Sequence, residues 1–206
     1  MKSYKTHSFL LCLFIMSLFA PFAGAAEWVK LFDGKSFDGW FQTGGKHTYE
    51  IVDQSIVGIA VPKEGNGFMT TKQKYRNFEL KFEVKLDLGL NSGCQIRSMP
   101  LREGAHLIGP QVEIAGGKSG YIYGEAMKKK DGSRQLWLSP DMEKEKTEQI
   151  KNALKPDQWN SFFIRAIDDR YQTFINDVPI TDFEFDGVAG PGHIGLQVHG
   201  VKKPEL

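Results

Sequence analysis

Phe78-Glu79-Leu80-Lys81-Phe82-Glu83-Val84-Lys85-Leu86 decides the fold. Apolar and charged residues alternate along the whole run. That is the period of a strand with one face on a core and the other in water. The outward side chains Glu79, Lys81, Glu83 and Lys85 alternate in sign, which marks a solvated face rather than a site.

Working outward, the same period recurs in short pieces separated by turn residues. Thr48–Val52 and Ser55–Ile59 flank Asp53-Gln54, a two-residue connection that suits a hairpin. Trp28–Phe32 and Phe68–Thr71 read as short strands. Cys94–Arg97 follows the Asn91-Ser92-Gly93 turn, and Met99–Ile108 reads as a loop. Trp159–Ile167, Tyr171–Ile175 and Val178–Thr181 are three more strands, and Ile194, Leu196 and Val198 mark a last one. Asp141–Leu154 is the only plausible helix, with Pro140 at its start, and since it is polar nearly all round it predicts a peripheral helix or an irregular segment. Many short strands and almost no helix predict an all-β protein, a two-sheet antiparallel sandwich.

The N-terminus is read apart from that domain. Lys2, Lys5 and His7 precede the apolar run Phe9–Ala20, and Ala23-Gly24-Ala25 gives a small-residue cleavage site. This is the pattern of a secretory signal peptide over 1–25. It predicts an exported protein, periplasmic or extracellular, with no membrane span after cleavage and one domain over 26–206. Cys12 lies within the leader, so only Cys94 remains and no internal disulfide can form. Cys94 sits in an apolar alternation and reads as a small core residue. The net charge of +1 leaves no nucleic-acid footprint.

One stretch does not read as scaffold. Gln111-Val112-Glu113-Ile114 and Tyr121-Ile122-Tyr123-Gly124-Glu125 alternate on either side of a loop with three glycines. Paired as a hairpin, they would gather a carboxylate, an amide and two phenols. Gln95 with Arg97, and Gln197 with His199, are further polar pairs at strand spacing. Amides, carboxylates and aromatics interleaved in this way suit a hydroxyl-rich ligand such as a sugar. No serine-nucleophile elbow, zinc-helix motif, phosphate loop or cysteine cluster is present. The acid pair of a conventional glycosidase is not evident, since Ala115 follows Glu113 at the next outward position.

Several of these pieces, in order, resemble one family. They are Leu31-Phe32-Asp33-Gly34-Lys35 with Phe37-Asp38-Gly39-Trp40, Asn91-Ser92-Gly93 through Arg97, and Gln111–Ile114. Gly120–Glu125 with Trp137-Leu138, Asn176-Asp177-Val178 and Gly195–Gly200 complete the set. The chain resembles the 3-keto-disaccharide hydrolase domain, whose fold is that of the concanavalin A-like lectins and glucanases, a two-sheet jelly roll. The family commonly carries Asp where this chain has Ala115 and Gly124, and a further strand beyond the His-Gly pair.

The resemblance implies cleavage of a glycoside oxidised at C3, by removal of the acidified C2 proton, elimination at C1 and rehydration. It implies Glu113 or His199 as the base and Arg97 at the enolate oxygen, with a divalent metal as one way to assist. Tyr121, Tyr123 or Glu125 would serve the leaving group. Gln111, Gln95, Asn91, Trp137 and Gln197 would line the substrate. The alternatives are a non-catalytic carbohydrate-binding module and an envelope interaction domain without a sugar ligand.

Overall fold

The structure is a computed structural model that describes residues 27–87, 89–188 and 190–201. The chain divides into Met1–Lys30 and Leu31–Leu206. The expected signal peptide lies outside the described residues. Glu27–Lys30 hold no helix or strand, so the expected strand at Trp28–Phe32 is absent. The fold is therefore that of the second unit.

Twelve strands run β1 (Trp40–Gly44), β2 (Thr48–Val52), β3 (Ser55–Ile59), β4 (Gly67–Thr71), β5 (Phe78–Val84), β6 (Ser92–Pro100), β7 (Leu107–Ile114), β8 (Ile122–Glu125), β9 (Asn160–Ile167), β10 (Arg170–Ile175), β11 (Val178–Glu184) and β12 (His193–Val198). They form a six-stranded sheet in the order β1-β4-β12-β6-β7-β8, a four-stranded sheet β11-β10-β9-β5, and the hairpin β2-β3. Every pairing is antiparallel. The expected antiparallel jelly-roll sandwich is what forms.

Alternation assigns the two inner faces. In the larger sheet Met69, Leu196, Cys94, Val112 and Ile122 stand in one register row. In the smaller sheet Leu80, Ile164 and Thr173 do the same. These faces meet in one hydrophobic cluster with Ile96, Phe162, Tyr171, Ile175 and Ile194. Phe162 is fully buried and stacked on Phe82 at 5.3 Å; removing such a ring costs about 3–5 kcal/mol. Cys94 is fully buried here, and burial pushes its thiol up to about 12, as a core residue requires. On the outer side of the smaller sheet Glu79 faces Arg165 at 3.3 Å, the solvated face that the alternating charges foretold.

The hairpins follow local rules. Asp53 and Gln54 both take positive φ, 47° and 61°, as do Asn176 and Asp177 at 48° and 64°. Two such residues in succession match the right-handed twist of the paired strands.

The 141–154 stretch is irregular apart from one helical turn, α1 (Glu148–Lys151), capped by Thr147. Too few apolar side chains fall on one side of it to pay for a longer helix. The expected loop Met99–Ile108 is a loop over 101–106, with strand only at its ends, where Met99 pairs with Ile108 and Pro100 with Leu107. Arg97 does not share a face with Gln95. The register shifts between Gln95 and Met99, and Arg97 sits at φ 47°. Such a bulge inserts a residue and re-aims the side chain that follows.

Candidate functional site

The outer face of the six-stranded sheet is polar and covered. Phe41, Thr70, Gly195, Gln95, Gln111 and Tyr123 form one register row across all six strands. Gln95 is 0% exposed, Gln111 2%, Gln197 5% and Glu113 7%. The tip of the β6–β7 hairpin supplies part of the cover. Gly44 N–H donates to the Gly104 carbonyl at 3.2 Å, and Thr43 Oγ1 donates to the Ala105 carbonyl. Leu107 lies so close over Gly195 that a Cβ there would stand 2.6 Å from its Cδ1.

Beneath that cover runs a directed chain of hydrogen bonds. Ser98 Oγ donates to Gln95 Oε1. Gln95 Nε2 donates to Gln111 Oε1 at 2.9 Å, and Gln111 Nε2 to Glu113 Oε2 at 3.0 Å. Asn91 Nδ2 donates to the other oxygen, Glu113 Oε1, at 2.8 Å. The Glu113 carboxylate is thus aimed by two amides. Gly93 makes this possible, because any Cβ there would stand 2.5 Å from Gln111 Cδ.

Three buried polar atoms of this face have no partner among the described residues: Gln197 Nε2, Asn91 Oδ1 and Thr70 Oγ1. An unpaired buried donor or acceptor costs about 1–3 kcal/mol. Such atoms are expected where a ligand or ordered water completes the network.

The rim is built on β8. Tyr123 meets Trp137 edge-on at 5.3 Å, and Arg134 Nη2 donates to its hydroxyl at 2.8 Å. Burial pushes the Tyr123 phenol up, Arg134 pulls it back, and the charges of Glu125 and Glu113 raise it further. It therefore remains an O–H donor at neutral pH. Glu125 is 8% exposed and accepts from Asn66 Nδ2 at 3.1 Å and pairs with His106 Nε2 at 2.8 Å.

Of the residues expected from sequence, Glu113, Gln111, Gln95, Asn91 and Gln197 meet on this face, and Tyr123, Glu125 and Trp137 flank it. Three do not join them. Arg97 is 4% exposed, stacked over the Tyr171 ring at 5.1 Å, and donates to the Arg76 and Asp168 carbonyls and the Tyr171 hydroxyl. Tyr121 is 2% exposed within the hydrophobic cluster, under Lys146, so the two phenols do not share surroundings. His199 is exposed just past β12 and forms no hydrogen bond or ion pair among the described residues.

His106, Asn66 and Arg134 were not anticipated. All three lie in stretches without strand periodicity, so no pattern in the sequence brings them to β8. Among the described residues no three His, Cys, Asp or Glu side chains converge as metal ligands. Glu113 is held by amides and Glu125 by one histidine and one amide, a donor set that does not fit a divalent-metal cage.

A family model described as a 3-keto-alpha-glucoside-1,2-lyase-like domain matches residues 27–204. No curated protein matches the chain. Among solved structures the chain is similar to a provisionally assigned glycosyl hydrolase from Parabacteroides distasonis ATCC 8503, at 18% identity over 83% of this chain and 87% of that one, with a TM-score of 0.56. It is also similar to the carbohydrate-binding module CBM66 from Bacillus subtilis, at 14% identity over 78% of this chain and 88% of that one, with a TM-score of 0.56. At such identities the likeness establishes the fold alone.

Proposed function

The chain belongs to the 3-keto-alpha-glucoside-1,2-lyase-like domain family, and from that premise we propose that it is an exported enzyme cleaving glycosides oxidised at C3. The observation that carries this reading is the Glu113 carboxylate, buried, aimed by Asn91 and Gln111, and set beside the unpartnered Gln197 Nε2 and Asn91 Oδ1.

The C3 ketone makes the C2 proton acidic. Glu113 takes that proton, and the electron pair passes to the C3 oxygen as an enolate. Tyr123, protonated and hydrogen-bonded to Arg134, donates to that oxygen in this reading. Collapse of the enolate expels the C1 substituent. Water then adds at C1, C2 regains its proton from Glu113, and the net result is hydrolysis. Gln197 Nε2 and Asn91 Oδ1 offer a donor and an acceptor to sugar hydroxyls, and Trp137 offers an apolar ring face. The likeness to a glycosyl hydrolase is consistent with this reading. Export rests on the leader at 1–25, and the mature protein is expected to begin at Ala26.

Turnover of a 3-keto-glucoside tests the proposal. Glu113→Gln keeps the shape and one acceptor but cannot take a proton. It is expected to lower aglycon release by about 10²-fold or more while the protein remains folded. Unchanged release would remove Glu113 from the role.

The same unpartnered donor and acceptor would also serve a sugar-binding module without catalysis, and CBM66 has this fold. That reading predicts saturable sugar binding by the purified protein with no aglycon release at all.

A further inference from the structure

Glu125 and His106 form a second polar centre beside the amide-held carboxylate. Their closest atoms, His106 Nε2 and Glu125 Oε1, are 2.8 Å apart. Asn66 binds the same carboxylate oxygen: its Nδ2 donates to Glu125 Oε1 at 3.1 Å, while its Oδ1 accepts from Gly200 N–H at 2.9 Å. The amide is therefore locked in one orientation. Burial pushes the Glu125 carboxyl up, but the hydrogen bond and charge of His106, with Asn66 and Arg134, bring it below its ordinary value. It is an anion, so the imidazole nitrogen facing it carries a proton. The other nitrogen, Nδ1, has no partner within the described chain, and the His106 side chain is 36% exposed.

The ring itself is held. It stands edge-on to Phe68 at 5.5 Å and 89°. Its loop is tied to β1 by the hydrogen bonds of Gly104 and Ala105, and the His106 carbonyl accepts from Leu101 N–H. Phe68 is the register partner of Gln197, whose Oε1 lies 3.4 Å from Gln111 Nε2. Tyr123 feels the charges of both Glu113 and Glu125. The two centres thus lie on one face. A carboxylate that orients an imidazole, with the far nitrogen free and part-exposed, is the arrangement of a positioned acid–base group.

We propose that His106, oriented by Glu125, is the acid–base residue at the glycosidic oxygen; this rests on the reaction proposed above. As the C1–O bond breaks, its electron pair leaves with the oxygen, and that oxygen takes the proton from Nδ1. The Glu125 carboxylate balances the imidazolium charge before this step. The neutral ring then takes a proton from the water whose oxygen bonds to C1, while Glu113 returns its proton to C2. Both groups end as they began. His106 and Glu113 divide the work: one serves oxygen at C1, the other carbon at C2.

The test compares two aglycons. Methanol leaves poorly and needs a proton, whereas p-nitrophenol leaves as a stable anion. His106→Gln is expected to lower release from methyl 3-keto-glucoside by about 10²-fold or more, and from the p-nitrophenyl compound by less than about tenfold. Glu125→Gln is expected to show the same selectivity with a smaller loss. Added imidazole is expected to restore methanol release to His106→Gly. Equal losses on both aglycons without imidazole rescue, or no loss on either, would overturn the role of His106 while leaving that of Glu113 standing. A wild-type protein that releases neither aglycon would overturn the reaction itself, and the role of His106 with it.

Discussion

Arg97 shows how one residue can be legible in type and misread in place. The family resemblance implied a cation for the enolate at this position. The structure spends its guanidinium on two carbonyls and a tyrosine hydroxyl between the sheets. Arg97→Met would leave those acceptors unpaired in a buried setting. A loss of about 3 kcal/mol is expected, seen as a fall in melting temperature of about 6–12 °C, with the rate of the surviving folded protein little changed. Thermal unfolding followed by circular dichroism measures the first effect. Cys94 was legible in both type and place. With the thiol buried and pushed up to about 12, native protein is expected to resist a thiol reagent that labels it at once in denaturant.

Glu125 also makes a claim at this scale. Its carboxyl is depressed in the folded state, despite burial, by His106, Asn66 and Arg134. A group with a depressed folded value adds stability above its unfolded value and loses that addition as pH falls through the folded one. Glu125→Gln is therefore expected to be less stable than wild type at neutral pH, with the gap closing as the pH falls below the ordinary value of 4.5. Urea unfolding at about pH 7 and about pH 3 measures the difference. A gap that widens in acid would contradict the hydrogen-bonded pair.

The β6–β7 hairpin sets the limit of what alternation could reveal. Its central pairs, Cys94 with Val112 and Gln95 with Gln111, follow from period two alone. Its outer half does not, because the bulge between Gln95 and Met99 resets the face and Gly109 takes φ 151°. The tip then turns across the polar face and brings His106 to Glu125. Nothing in a strand pattern encodes that bend, so nothing along the sequence points from the 101–106 loop to Glu125. The bend depends on Gly195, over which Leu107 packs. Gly195→Val is expected to push the tip away, costing about 1–3 kcal/mol and speeding amide exchange at 101–108. Unchanged exchange there would mean that the tip does not lie across β12.

On the scale of the molecule, two sheets with different outer faces divide the tasks. The smaller sheet shows water a ladder of paired charges such as Arg170 with Asp182. The larger one hides amides and a carboxylate. The sandwich was readable because each face repeats every second residue, and the Asp53-Gln54 and Asn176-Asp177 turns could be placed by local rules. The site was readable along β6, β7, β8 and β12, where Gln95, Gln111, Glu113, Tyr123 and Gln197 keep strand spacing. Asn66 and Arg134 come from irregular stretches, and tertiary contact alone brings them in.

The chemistry assigned to Glu113 is followed most directly in the fate of the C2 hydrogen. Wild-type protein would be given a 3-keto-glucoside deuterated at C2, in ordinary water, beside an enzyme-free control. Proton abstraction by Glu113 predicts that aglycon is released more slowly from this substrate than from the same compound with ordinary hydrogen at C2. Equal rates of enzymatic release from the two compounds would contradict it.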